Sequence, residues 1–139
     1  MPNAPALLPD LFDNPLFTGL VKAAFVRRPN RFVIHCSLEG QTVVAYMPNP
    51  GRLWELLLPG RTVTLVRRPA GSGTLTHTAV AVEREGIPLL LHTHINNAVA
   101  AALIGAGKVP GLEAATIIRP EVRVGHSRFD FLLEKDGKP

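Results

Sequence analysis

The sequence is poor in cysteine and in long apolar runs, and each shortage excludes a class of protein. The single cysteine, Cys36, rules out a disulfide within the chain and favours a reducing compartment, with Cys36 itself as a small core residue. The first 17 residues do not combine a basic segment with a continuous apolar one, so they lack the form of a signal peptide. No apolar run approaches the roughly 20 residues of a membrane helix. We therefore expect a soluble, cytoplasmic protein with no membrane partner.

Acidic residues are scarce in one part of the chain. Between residues 20 and 70 there are eight basic residues and only two acidic ones, and seven of the eight are arginine. The arginine guanidinium is a planar fork that matches phosphate oxygens and stacks on bases. This distribution favours a nucleic-acid-binding surface, and a solvated basic surface without a ligand is the alternative.

The first two thirds of the chain have the residue pattern of β-strands. Stretches rich in β-branched and aromatic residues alternate with Gly and Pro breakers, which predicts strands at residues 20–28, 31–38, 42–47, 61–68 and 75–84, with an edge strand at 87–93. Residues 52–58 predict a short helix between the third and fourth strands. This order predicts a mainly β protein with a small Greek-key barrel of the oligonucleotide/oligosaccharide-binding (OB) kind. A generic SH3-like barrel has the same periodicity and is the alternative.

The pattern changes after residue 94. Asn96 and Asn97 are candidate N-caps, and residues 98–104 are strongly helix-forming. Two strands are predicted to follow at 116–124 and 128–133. The sequence thus predicts an extended arm at residues 1–19, a barrel at 20–93 and the start of a second, incomplete domain at 94–139.

Arginines near strand ends are the candidate ligand contacts. Successive strand residues point to opposite faces, so Arg27 and Arg28 cannot both lie on one surface. Arginines at the rim of a barrel would follow a phosphate backbone without reading base sequence. Asn30 and Asn49 are expected to hold turns. The predicted DNA-binding residues are Lys22, Arg27, Arg28, Arg31, Arg52, Arg67 and Arg68.

Four other side chains carry weaker signals. Trp54 lies among leucines and is expected in the core, although it and Tyr46 are the residues suited to stacking on a base. His92 and His94 would share one face of a strand, which suits a metal ion, but no third ligand is evident nearby. A zinc site there is the less favoured interpretation.

Asp130 interrupts an apolar run near the end of the sequence, Phe129-Asp130-Phe131-Leu132-Leu133. In a strand it shares one face with Arg128. From the pattern alone, the favoured interpretation is a surface ion pair between Asp130 and Arg128.

Three stretches in order resemble the sugar fermentation stimulation protein (SfsA) family. They are residues 24–32, the Pro-Asn-Pro-Gly-Arg-Leu at 48–53, and residues 120–131 with their Ser-Arg-x-Asp-Phe. The resemblance implies an OB barrel followed by a domain similar to PD-(D/E)xK nucleases. In those nucleases an Asp and a Glu hold a divalent cation, Mg or Mn, and a Lys acts on water. The resemblance makes Asp130 a candidate metal ligand and assigns no role to Arg128.

The sequence departs from that family pattern after Asp130. No Glu-x-Lys follows, and Glu134-Lys135 has the wrong spacing. We therefore expect a truncated form with half a metal site, no cofactor for this chain and no DNA cleavage, because cleavage needs a firmly held cation. An open sheet edge is expected to favour self-association. The leading prediction is non-specific DNA binding by the barrel. The alternatives are a metal-dependent nuclease in the full-length protein and an oligosaccharide-binding regulatory module.

Overall fold

The computed structural model describes residues 17–71 and 73–139, so most of the predicted N-terminal arm lies outside the described residues. The chain divides into two compact units, one up to His94 and one from Ile95 to Pro139. Among the described residues no helix is long and apolar enough to span a membrane.

The first unit is a barrel closed by five strands. Its six strands are β1 (Leu20–Asn30), β2 (Val33–Leu38), β3 (Gln41–Tyr46), β4 (Thr62–Arg67), β5 (His77–Arg84) and β6 (Ile87–Leu90). Antiparallel pairs join β1 to β2, β2 to β3, β1 to β4 and β4 to β5, while β6 extends β5 as a hairpin. A short parallel pairing of β3 with β5, Ala45 with His77 and Tyr46 with Thr78, closes the ring. This confirms the predicted OB-like barrel.

The barrel core follows the alternation of its strands. On β2 the side chains of Ile34 and Cys36 are fully buried, and on β4 so are Val63 and Leu65. These residues belong to one apolar cluster inside the ring. Cys36 is therefore a core residue, as predicted, and burial raises the pKa of its thiol to about 11.

The helix predicted at residues 52–58 is wrong, because only one turn forms. The amides of Leu56 and Leu57 both donate to the carbonyl of Leu53, at 3.0 and 2.9 Å, and no second helical turn follows. Leu53 has a φ of 55°, outside the helical region, and Pro59-Gly60 ends the segment. A single turn makes too few hydrogen bonds to offset the free-energy cost of helix nucleation.

The second unit is a helix and a hairpin, as predicted. Helix α1 (Asn96–Gly105) contacts β7 (Thr116–Val124), which pairs antiparallel with β8 (Ser127–Glu134). The predicted asparagine caps are wrong: Ile95 is the N-cap residue and no side chain caps the helix. A 3-10 turn, Thr93–Ile95, runs directly into α1, and Asn97 uses its amide elsewhere.

Candidate nucleic-acid interface

One arginine ties two segments of the barrel surface together. Arg28 lies near the end of β1, and its guanidinium donates four hydrogen bonds to main-chain carbonyls. Nη1 donates to Gly51 (2.6 Å) and Arg52 (3.1 Å), and Nη2 donates to Arg31 (2.6 Å) and Asn49 (2.8 Å). Burial lowers the pKa of this guanidinium, which stays charged. Arg28 therefore clamps the β1–β2 turn onto the segment that follows β3.

Two asparagines shape the clamped segments, as predicted. The side-chain oxygen of Asn30 accepts from the amide of Phe32, and that of Asn49 accepts from the amide of Gly51, both at 2.9 Å. Such Asx turns let a short side chain replace a main-chain partner. At Gly51 a Cβ atom would lie 3.0 Å from the Asn49 oxygen, so the turn favours a residue without a side chain.

Three arginines of this surface each lie over an aromatic ring. The guanidinium carbon of Arg31 is 5.6 Å from the Phe32 ring centre, that of Arg52 is 4.9 Å from Trp54, and that of Arg68 is 5.5 Å from Tyr46. These distances lie within the range of cation–π attraction. We call these six residues the arginine–aromatic pairs.

The prediction that Trp54 is a core residue is wrong. Its side chain is 71% exposed, whereas Leu57 in the same turn is buried and Leu53 and Leu56 pack against the core. Because the helix does not continue, Trp54 does not share the buried face of these leucines. Phe32 is also exposed, at 53%.

Tyr46 has a different setting from Trp54. It is half-buried on the outer side of β3, since its neighbours Ala45 and Met47 point into the barrel. Arg68, which lies over it, also donates from Nη1 to the hydroxyl of Thr78 at 3.4 Å. The Nε atom of Arg68 is buried and has no hydrogen-bond partner among the described residues.

The seven predicted DNA-binding cations all lie in the barrel unit. Lys22, Arg27, Arg31, Arg52 and Arg67 are exposed, while Arg28 and Arg68 are half-buried. None of the seven forms an ion pair with a carboxylate of residues 17–71 or 73–139. Sequence reasoning missed the clamping role of Arg28, whose Nη1 and Nη2 atoms donate to the chain itself, while its Nε atom is buried without a partner among the described residues.

A hollow of about 380 Å³ lies beside the β4–β5 loop, lined in part by Arg67, Arg68 and His77. His77 is buried, and its Nδ1 lies 2.7 Å from the hydroxyl of Thr76. Its Nε2 has no partner among the described residues. Burial, and then the charge of Arg67, lower the pKa of His77. The hollow therefore combines two cations with an imidazole that favours its neutral form.

The two histidines weighed as a zinc site lie close together but lack further ligands. The rings of His92 and His94 are 5.8 Å apart and nearly perpendicular. Burial, and then the proximity of His94, lower the pKa of His92. In the part of the chain that the structure describes, no three His, Cys, Asp or Glu side chains group as metal ligands. The geometry around His92 and His94 therefore does not support a zinc site.

In the second unit Asp130 is exposed and accepts a hydrogen bond from the Asn97 amide at 3.1 Å. Both line an open cavity of about 550 Å³ together with Glu121. The expected ion pair between Asp130 and Arg128 is wrong, because Arg128 pairs with Glu121 at 2.8 Å. Glu121 is already paired with Arg128, so at this cavity Asp130 is the one carboxylate without an ion-pair partner among the described residues. The described residues do not complete a metal site.

The chain matches two family models. Residues 26–91 match the SfsA N-terminal OB domain, and residues 94–139 match the sugar fermentation stimulation protein RE domain. Among curated proteins, the sugar fermentation stimulation protein homologue of Moorella thermoacetica is 40% identical over 87% of this chain and 53% of its own length. That of Methanothermobacter thermautotrophicus is 30% identical over 92% of this chain and 51% of its own length.

A solved structure matches as well. Pyrococcus furiosus SfsA in complex with Ca2+ aligns at a TM-score of 0.64 and 30% identity, covering 87% of this chain and 52% of that one. The chain thus spans about half the length of the relatives it matches. The order of the two matched domains agrees with the barrel and the helix–hairpin described above. The chain belongs to the sugar fermentation stimulation protein (SfsA) family.

Proposed function

We propose that the barrel binds DNA through its phosphate backbone, without reading base sequence. The observation that carries this proposal is the set of exposed cations, Lys22, Arg27, Arg31, Arg52 and Arg67, which have no carboxylate partner among the described residues. Cations that are not neutralised internally attract a polyanion and release its counterions on binding. Arg28 is left out of the proposed contacts because the chain uses its donors.

The OB-like architecture supports the same surface. In this fold the outer face of the second and third strands and the loops after the first and fourth strands bind oligonucleotides. Here Arg31 and Phe32 lie in the β1–β2 turn, Tyr46 lies on β3, and Arg68 follows β4. Fold alone does not separate DNA from an oligosaccharide. The excess of arginine favours the phosphate-bearing ligand.

Fluorescence anisotropy of labelled DNA across a salt series tests the proposal. We expect an affinity that falls steeply with salt and does not depend on base sequence. The logarithmic slope should be about 0.9 per phosphate contact for duplex and about 0.7 for single strands. Absence of binding even at low salt would overturn the proposal.

Single substitutions locate the contacts. Arg27→Ala and Arg67→Ala should each lower the slope by about one contact and weaken all sequences alike. Arg84→Ala removes the same charge from an exposed position outside the proposed set and serves as the control. An equal effect of all three would mean that only net charge matters.

We also propose that Asp130 supplies one ligand for a divalent cation in the longer proteins of the family. In its favour are the open cavity that Asp130 shares with Glu121 and the Ca2+ complex of the Pyrococcus furiosus relative. Because the described donor set is incomplete, we expect this chain not to cleave DNA with Mg²⁺ or Mn²⁺. Metal-dependent cleavage that disappears in Asp130→Ala would contradict that expectation and favour a nuclease.

A further inference from the structure

We propose that the barrel prefers single-stranded nucleic acid, with bases stacked on Trp54 and Phe32. The inference rests on the proposed function and specifies its ligand. It follows from the arginine–aromatic pairs rather than from the net charge. A duplex hides the faces of its bases, whereas a single strand presents them to any exposed aromatic ring.

Trp54 has the geometry of a stacking platform. The Arg52 guanidinium lies over its ring at 4.9 Å, and the side chain is still 71% exposed. One face of the indole is therefore covered by a cation while the opposite face is open to solvent. A base that stacks on the open face would bury apolar surface and gain the attraction that arginine adds to such stacks. Its phosphate would lie within the field of the Arg52 cation.

Phe32 repeats this arrangement on the neighbouring segment. Its ring is 53% exposed, with the Arg31 guanidinium 5.6 Å from the centre. The Arg28 guanidinium donates to the carbonyls of both Arg31 and Arg52. Arg31 directly precedes Phe32, and Arg52 lies two residues before Trp54. One side chain therefore fixes the backbone that carries both rings, which lowers the entropy lost on binding.

The third pair lies on the neighbouring strand of the sheet. Tyr46 on β3 pairs across the sheet with Val33, the residue after Phe32, and carries Arg68 at 5.5 Å. The amide of Met47 donates to the Phe32 carbonyl at 2.8 Å, so the two segments are in register. Tyr46 therefore lies on the strand next to the Phe32 segment, on the outer face that it shares with Val33.

The experiment compares three ligands of equal length: oligothymidylate, an abasic strand with the same phosphates, and a duplex. We expect oligothymidylate to bind about tenfold more tightly than the abasic strand. Trp54 is the only tryptophan, so its fluorescence reports stacking directly. Oligothymidylate should quench it, whereas the abasic strand and the duplex should not.

Substitutions sharpen the result. Trp54→Ala should remove most of the preference for oligothymidylate over the abasic strand, and Trp54→Phe should retain part of it. Leu58→Ala, which trims another exposed apolar side chain of the same segment, should leave the preference unchanged. Circular dichroism of each variant confirms that the barrel is folded.

The outcomes separate this inference from the function on which it rests. Equal affinity for the abasic strand and oligothymidylate, without quenching, overturns the stacking inference and leaves phosphate binding standing. Tighter binding of the duplex overturns it as well. Absence of binding to all three ligands overturns both proposals.

Discussion

The barrel and the helix–hairpin unit both contain antiparallel strands, but they differ in how many strand edges are left unpaired. In the barrel, β1, β2, β3, β4 and β5 each pair on both sides, and the ring encloses fully buried side chains such as Ile34 and Leu65. In the second unit, β7 and β8 pair only with each other among the described residues. Ile118, Val124 and Phe129 there are more than half exposed.

This difference bears on which unit can carry a function in this chain. A closed ring fixes its surface residues relative to one another, so the arginine–aromatic pairs are held by a core that no other chain needs to complete. A two-stranded hairpin has marginal stability unless further elements cover it. Asp130 therefore lies on the less firmly held unit, and the proposed DNA contacts lie on the more firmly held one.

The largest expected effect comes from the barrel core. Ile34→Ala empties part of a fully buried site and should lower the free energy of unfolding by about 2–5 kcal/mol. Ile118→Ala removes the same atoms from β7, where the side chain is 51% exposed, and should cost less than about 1 kcal/mol. Urea unfolding followed by circular dichroism measures both. Equal losses would break the contrast between the two units.

The next effect tests the clamp at residue 28. Lysine is a point charge that cannot reach four carbonyls with one planar fork, so Arg28→Lys should lower stability by about 1–3 kcal/mol. Arg27→Lys is the matched control, because the Arg27 side chain is exposed and makes no hydrogen bond or ion pair among the described residues. It should change stability by less than about 0.5 kcal/mol. If Arg28→Lys does not lower the stability, barrel closure alone orders the two turns.

The strands of both units were predictable because their signals are local. Alternating apolar residues and Gly or Pro breakers mark β1 to β5 along the chain. The asparagine turns at Asn30 and Asn49 were predictable for the same reason, since each side chain bonds two residues ahead. Trp54 was misplaced because its position depends on a helix that ends after one turn.

Contacts set by closure or by register were not predictable. The four carbonyls bound by Arg28 come from segments that meet only when the barrel forms. In the hairpin, a register shift between Ile117 and Arg119 places Pro120 opposite Phe131 and Val122 opposite Phe129. Glu121 lies between these two pairs, and Arg128 forms its ion pair with Glu121 instead of with Asp130. Strand periodicity alone contains no information on that shift.

A smaller effect is expected from pH, and it should arise in the barrel. Burial lowers the pKa of His77, so the folded state binds fewer protons than the unfolded state as the pH falls below about 6.5. Its neutral form therefore supports the fold at neutral pH, and stability is lost as the solution becomes more acidic. The loss is at most about 1.4 kcal/mol per pH unit for each proton.

His77→Gln should flatten the pH dependence of unfolding between neutral pH and about pH 5.5. The control is His126→Gln, at an exposed position in the β7–β8 turn. Urea unfolding at several pH values provides the comparison. An unchanged slope in His77→Gln would assign the acid sensitivity to another group, such as His92, whose pKa burial also lowers.

Weak self-association is expected of the hairpin and not of the closed ring of β1 to β5. Sedimentation velocity should show an apparent mass that rises with concentration, because an unpaired strand edge is a template for another strand. Phe129→Lys puts a charge on exposed β8 and should reduce this rise. Val26→Lys puts the same charge on an exposed position of β1, which is paired on both sides, and should not. A monomer at every concentration would contradict the expectation.

The smallest effect concerns the ion pair between Arg128 and Glu121. Both side chains are about 60% exposed, so water and salt screen their attraction, and Arg128→Ala should cost about 0.5 kcal/mol or less. Arg123→Ala, at the exposed residue opposite Arg128 on β7, is the control. Urea unfolding of the two variants at low and high salt measures the difference. A loss above about 2 kcal/mol, removed by salt, would show that the second unit depends on its charges as the barrel depends on its core.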